Sequence, residues 1–116
     1  MFDIEFYRDE SGSSPVEDYI KSLPDKLRAK TYRSIKLLKE EGYDARRPLS
    51  SYLRNGIFEL RSQIGTNLTR ILYFYTRDKT IVFTNGFTKK TEVVPESEIA
   101  LAERRKERYE RIHQDG

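Results

Sequence analysis

Ile57-Phe58-Glu59-Leu60-Arg61-Ser62-Gln63-Ile64, then Leu68-Thr69-Arg70-Ile71-Leu72-Tyr73-Phe74-Tyr75-Thr76, then Thr80-Ile81-Val82-Phe83-Thr84-Asn85-Gly86-Phe87, is the stretch that decides the fold. Three runs rich in β-branched and aromatic residues follow one another, separated only by Gly65-Thr66-Asn67 and Arg77-Asp78-Lys79. Connections this short and polar suit hairpins, so the spacing predicts an antiparallel meander.

Alternation within the runs assigns faces. In Phe58-Glu59-Leu60-Arg61 the apolar side chains share one face, and Glu59 and Arg61 share the other. In the next run Arg70 falls with Leu68, Leu72 and Phe74, opposite Ile71, Tyr73 and Tyr75. A mid-strand guanidinium there has two ordinary fates. It pairs with Glu59 across the hairpin, or it stays free to grip a phosphate through its bidentate donors.

Outward from the meander, Phe2, Ile4 and Phe6 alternate with acidic and polar residues and predict a first strand over residues 1–8. Ser14-Pro15-Val16-Glu17 reads as a capping box opening a helix from Pro15 to Lys21. Leu27, Thr31, Ile35 and Leu38 recur at helical spacing, so a second helix is expected from near Pro24 to Gly42. Residues 43–55 are polar and cationic, with Arg46-Arg47-Pro48, and read as a loop. Pro95, Glu96 and Glu98 open a last helix whose narrow apolar stripe is Ile99, Ala102, Tyr109 and Ile112. The expected fold is α+β, one domain over residues 1–116, in the order β-α-α-β-β-β-α, with a small antiparallel sheet covered by helices on one face and open on the other.

Composition limits the chemistry. The 116 residues contain no cysteine and one histidine, His113, near the C-terminus. Zinc fingers, thiol nucleophiles and internal histidine triads are thereby excluded, and no metal or cofactor is expected. The absence of a positive leader and of any long apolar run leads to the expectation of a cytoplasmic protein without membrane attachment. Net charge is only +3, but cations gather between Arg54 and Lys90, where only Glu59 and Asp78 oppose them. Lys89-Lys90 is either a solvated turn or part of an anion site. Tyr43, Tyr52, Tyr73, Tyr75 and Tyr109 are available to stack on unpaired bases if exposed beside cations. The mixed charges between Glu103 and Arg111 read as an ion-paired helix face.

Gly56-Ile57-Phe58-Glu59-Leu60-Arg61, Thr69-Arg70-Ile71-Leu72-Tyr73-Phe74, Gly86-Phe87-Thr88-Lys89-Lys90 and Pro95 with Glu98-Ile99 and Ala102 together resemble the phage-derived HigB-like branch of the RelE/ParE toxin superfamily. The resemblance covers roughly residues 53–109. It implies a RelE-like fold and the toxin of a type II toxin–antitoxin pair, an mRNA interferase acting on ribosome-bound messages. Its implied partners are messenger RNA, the ribosome and an antitoxin with a helix-turn-helix domain. Carried over by position, it makes Arg61, Arg70, Lys89 and Lys90 the catalytic candidates; among the tyrosines, Tyr109 and Tyr73 are the candidates for proton donation or base stacking. Arg46, Arg47, Arg54 and Asn85 are the expected RNA contacts. Asn85 stands where related sequences carry a histidine, so a conventional imidazole base is missing. A ParE-like toxin that binds DNA gyrase, and a nucleic-acid-binding module without catalysis, are the competing readings.

Overall fold

The computed structural model describes residues 2–88 and 93–114. Its elements are β1 (Asp3–Phe6), α1 (Pro15–Lys21), α2 (Asp25–Glu41), β2 (Ser50–Arg54), β3 (Ile57–Ile64), β4 (Asn67–Tyr75), β5 (Thr80–Thr88) and α3 (Glu96–His113), with a 3-10 turn at Gly42–Asp44 behind α2. The α+β class and the predicted helices stand. The sheet has the order β1-β5-β4-β3-β2.

Four expectations need correction. The sheet is mixed rather than antiparallel, because β1 runs parallel to β5, with Asp3 opposite Thr80 and Phe6 opposite Phe83. The β1 strand and β2 lie on opposite edges, so the α1–α2 pair carries the chain across the whole sheet between them. Part of the expected loop is also a strand, β2, which pairs with β3 through Ser50–Leu60 and Ser51–Glu59. Asn55 and Gly56 form its turn with φ of 50° and 81°, the left-handed pair that a two-residue hairpin demands. In addition, the Ser14–Glu17 capping box does not form: Ser14 sits at the N-cap position, but its hydroxyl is buried without a hydrogen-bond partner among the described residues.

The helices cover both faces, not one. On the first face α1 and α2 pack Val16, Ile20, Leu27, Ile35 and Leu38 against Leu60, Ile71, Tyr73, Ile81 and Phe83. The second face carries Ile57, Leu72, Phe74, Val82 and Phe87, which α3 covers with Ala102, Ile99 and Tyr109. The reason lies in β4, whose residues from Leu68 to Phe74 are all buried. A strand apolar on both sides needs cover on both, and only the last helix remains to supply it.

A bulge in β5 decides what reaches the second face. Tyr73 pairs with Phe83 but Leu72 pairs with Asn85, so Thr84 is the extra residue, and its hydroxyl donates to the Leu72 carbonyl at 3.2 Å. The Arg105 guanidinium satisfies the displaced Thr84 carbonyl at 2.8 Å. After the bulge Asn85 and Phe87 pair with Leu72 and Arg70 and join their face, while Gly86 turns toward α1, where the Tyr19 ring lies on its backbone.

Gly42 ends α2 at φ 55°, and a β-carbon there would stand 1.9 Å from the Phe2 ring. Left-handed strain and overpacking act together at this position. Gly42→Ala is expected to lower unfolding stability by about 2–4 kcal/mol, measurable by urea denaturation.

Candidate functional site

Glu59 is the hub of the second face. The β3–β4 register sets Arg61 directly opposite Arg70 and Glu59 opposite Leu72, so the Glu59 carboxylate sits diagonally between two guanidiniums. Glu59 Oε2 lies 3.1 Å from Arg70 Nε, and Glu59 Oε1 accepts from Arg61 Nη1 at 3.4 Å and from Ser51 Oγ at 3.0 Å. Without the carboxylate the two arginines would be like charges facing across a ladder, an unfavourable pair.

The three side chains differ in access. Arg70 is completely buried, Glu59 is 1% exposed, and the Arg61 side chain keeps 14% of its surface open. Among the described residues no nitrogen of the Arg70 guanidinium makes an aligned hydrogen bond, and the close Glu59 Oε2 is likewise unaligned. Two cations therefore share one carboxylate, leaving one positive charge and a set of unused donors inside the protein. Such groups are costly unless something else uses them.

The α3 helix supplies carboxylates to the remaining candidates. Arg54 Nη2 contacts Glu103 Oε1 at 2.8 Å and Glu96 Oε1 at 2.5 Å, so this expected RNA contact is already engaged. Glu103 and then Glu96 hold its guanidinium firmly in the charged form. Asn85 is buried and donates to Glu98 Oε1 at 2.9 Å and to the Glu98 carbonyl at 3.2 Å, while its own Oδ1 has no partner among the described residues. The acidic start of α3 is legible in the sequence as a helix N-terminus; its contacts with the sheet are not, because only the tertiary fold lays the helix over β5.

The tyrosine candidates separate from this cluster. Tyr73 is fully buried on the first face with its hydroxyl on Ser50 Oγ, so it cannot stack on an exposed base, and burial drives its phenol pKa far up. Tyr109 packs on Phe74 and donates to Glu5 Oε1 at 3.1 Å. Phe74 is four residues along β4 from Arg70, about 13 Å at the usual strand rise. Burial and then the Glu5 carboxylate push the Tyr109 phenol up to about 12. Arg46 and Arg47 lie on the surface beside β2, whereas Lys89 and Lys90 fall outside the described residues. Among the described residues no three His, Asp or Glu side chains gather as a metal-binding group, and no helix is long and apolar enough to cross a membrane.

The family model described as phage-derived protein Gp49-like matches residues 18–107, which takes in every arginine and asparagine just described but not Tyr109. The chain belongs to the Gp49-like family. Gp49-like proteins are phage-derived and toxin-like, related to toxins of the RelE and HigB type. A comparison with curated proteins gave no match.

Removing Glu59 strands both guanidiniums of this Gp49-like protein. Glu59→Ala is expected to cost about 3–5 kcal/mol, and adding Arg70→Met should return part of it by removing the uncompensated charge. Chemical denaturation of the two single variants and the double variant measures the coupling. Glu103 gives a pH signature. Its carboxyl is held below the usual value of 4.5, first by Arg54 and then by Asn55. The resulting stabilisation is complete above the unfolded value and fades as pH falls below 4.5 toward the folded one. Glu103→Gln should therefore flatten the acid limb of a stability–pH profile and leave the neutral region parallel to wild type.

Proposed function

We propose that this chain is the toxin of a type II toxin–antitoxin pair, of the HigB-like branch, and that it cuts ribosome-bound messenger RNA in the cytoplasm without a metal. What supports the reading is the excess positive charge at Glu59: Arg61 and Arg70 share one carboxylate, and Arg70 holds unpartnered donors in a dry environment. Preorganised donors of this kind are worth most where charge develops during reaction. Arg61, partly open, meets the scissile phosphate, and Arg70 beneath it adds field.

In the step proposed, the 2′-oxygen of the RNA attacks the adjacent phosphorus while its proton passes to a neutral lysine amine, Lys89 or Lys90. The bond from phosphorus to the 5′-oxygen breaks and that oxygen takes up the proton from the lysine ammonium just formed. The products are a 2′,3′-cyclic phosphate and a free 5′-hydroxyl. Neighbouring positive charge lowers a lysine's pKa, which is what this role would require. The ribosome supplies orientation, and an antitoxin with a helix-turn-helix domain is the proposed inhibitor.

One observation favours a second reading. The α3 carboxylates engage Arg54 and Asn85, and Arg70 is closed from solvent, an arrangement that suits a ParE-like toxin acting on DNA gyrase without nucleolysis.

Arg61→Ala separates the two. In a translating extract the variant should cut mRNA about 100-fold more slowly than wild type while still binding its antitoxin, and wild-type fragments should end in cyclic phosphate. Intact mRNA together with lost DNA supercoiling after induction would replace the nuclease by the gyrase-directed toxin.

A further inference from the structure

On the β2 edge of the sheet lies a groove of about 480 Å³, lined by Tyr43, Arg46, Arg47, Ser51, Tyr52 and Phe58 among others. The groove is open along its length, so the rings and guanidiniums on its rim are accessible from solvent. The composition of its rim differs from that of the buried cluster. Arg46 and Arg47 are exposed, and among the described residues neither forms an ion pair, whereas Arg54, Arg61 and Arg70 all do. Arg46 Nη1 rests on the Tyr43 and Ala45 carbonyls at 3.3 and 3.4 Å, which keeps its guanidinium beside the tyrosine.

The two tyrosines present open rings on fixed supports. Tyr43 is 56% exposed and Tyr52 is 58% exposed, large fractions for aromatic residues. Each is braced from one side: Tyr43 makes edge contacts with Phe2 and Tyr75, at centroid separations of 4.8 and 4.7 Å, and Tyr52 makes one with Phe58 at 5.0 Å. The Tyr52 hydroxyl also accepts from the Gly56 backbone N–H at 3.1 Å. A rigid ring beside a free guanidinium is the combination that holds an unpaired base by stacking and its phosphate by charge.

Ser51 joins the groove to the buried cluster. It lines the groove, and its hydroxyl donates to the carboxylate that holds Arg61. Tyr52 and Phe58 lie on the first face and Glu59 and Arg61 on the second, so a strand bound in the groove would reach Arg61 by rounding the β2 edge at Ser51. A peptide adding to the same edge is less suited, since β2 has five residues and its ladder is broken by an irregularity between Tyr52 and Arg54.

We propose that this groove is a nucleotide subsite for single-stranded RNA, in which Arg46 and Arg47 take a backbone phosphate and Tyr43 and Tyr52 stack the adjoining base, across the β2 edge from the phosphate at Arg61. It rests on the RNA reading given above and extends it to the flanking nucleotide.

The test uses the full chain and a short, fluorescently labelled single-stranded RNA whose 2′-hydroxyls are all methylated, so that it binds but cannot be cut. Anisotropy should show about a tenfold loss of affinity for Tyr52→Leu, and a salt dependence shallower by about one for Arg47→Gln. Tyr52→Phe, which keeps the ring and loses only the hydroxyl contact with Gly56, should bind as wild type does. The same strand with abasic sites should bind wild type and Tyr52→Leu alike. Equal affinity of all variants for the intact strand would overturn the proposal, as would loss of antitoxin binding in Arg47→Gln and Tyr52→Leu with RNA binding unchanged. Wild-type cleavage in a translating extract reports on the nuclease reading separately. Cleavage with variant-independent probe binding rejects only the groove, and variant-dependent probe binding without cleavage retains the groove and rejects the nuclease.

Discussion

One carboxylate between two guanidiniums governs the second face of the sheet. Glu59 and Arg61 are fixed by β3, and Arg70 by β4, so the register of a single hairpin brings all three together. The pairing neutralises only half of the positive charge and leaves the innermost guanidinium short of aligned acceptors. A core built for stability alone would place apolar side chains here, because buried ion pairs rarely outperform them. Keeping the charges in place has a cost to folding, and that cost is intelligible when an anion is the intended occupant.

Around this centre the helices divide the labour. The α1–α2 pair closes the first face with aliphatic packing and gives the sheet its main core. The α3 helix behaves differently: Ala102 is its only residue buried outright among those described, and Glu96, Glu98 and Glu103 meet polar groups of the sheet and the β2–β3 turn. Its attachment thus mixes a narrow apolar stripe with charge-assisted contacts. Surface pairs of this sort weaken with salt more than apolar packing does.

Much of this was legible in the sequence where periodicity was strong. The alternation of Phe58-Glu59-Leu60-Arg61 assigned both faces of β3 correctly, and the offer of Glu59 as partner to Arg70 followed from a hairpin two strands wide. The β2 strand was not legible, because Ser50-Ser51 and the irregularity after Tyr52 break the alternation, although Asn55-Gly56 carried a turn signal of its own. In β4, where apolar residues occupy both faces, pattern alone does not say whether Tyr73 points to the α1–α2 pair or to the face that α3 covers. That the last helix crosses to the second face follows from burial of Leu72 and Phe74, a demand of three dimensions that no local window contains.

The Thr84 bulge has a consequence for how this fold tolerates length changes. Every side chain after it on β5 owes its side of the sheet to one surplus residue left out of the ladder. Deleting that residue would leave Asn85 opposite Leu72 and Gly86 opposite Ile71 in an unbroken ladder, whereas pairing Thr84 into the ladder would exchange the roles of Asn85 and Gly86, thrusting a polar amide against Tyr19 and emptying the place beside Glu98. Relatives one residue shorter at this point would therefore keep the same interior on a straighter strand, and residue matching across it has to place the gap at Thr84.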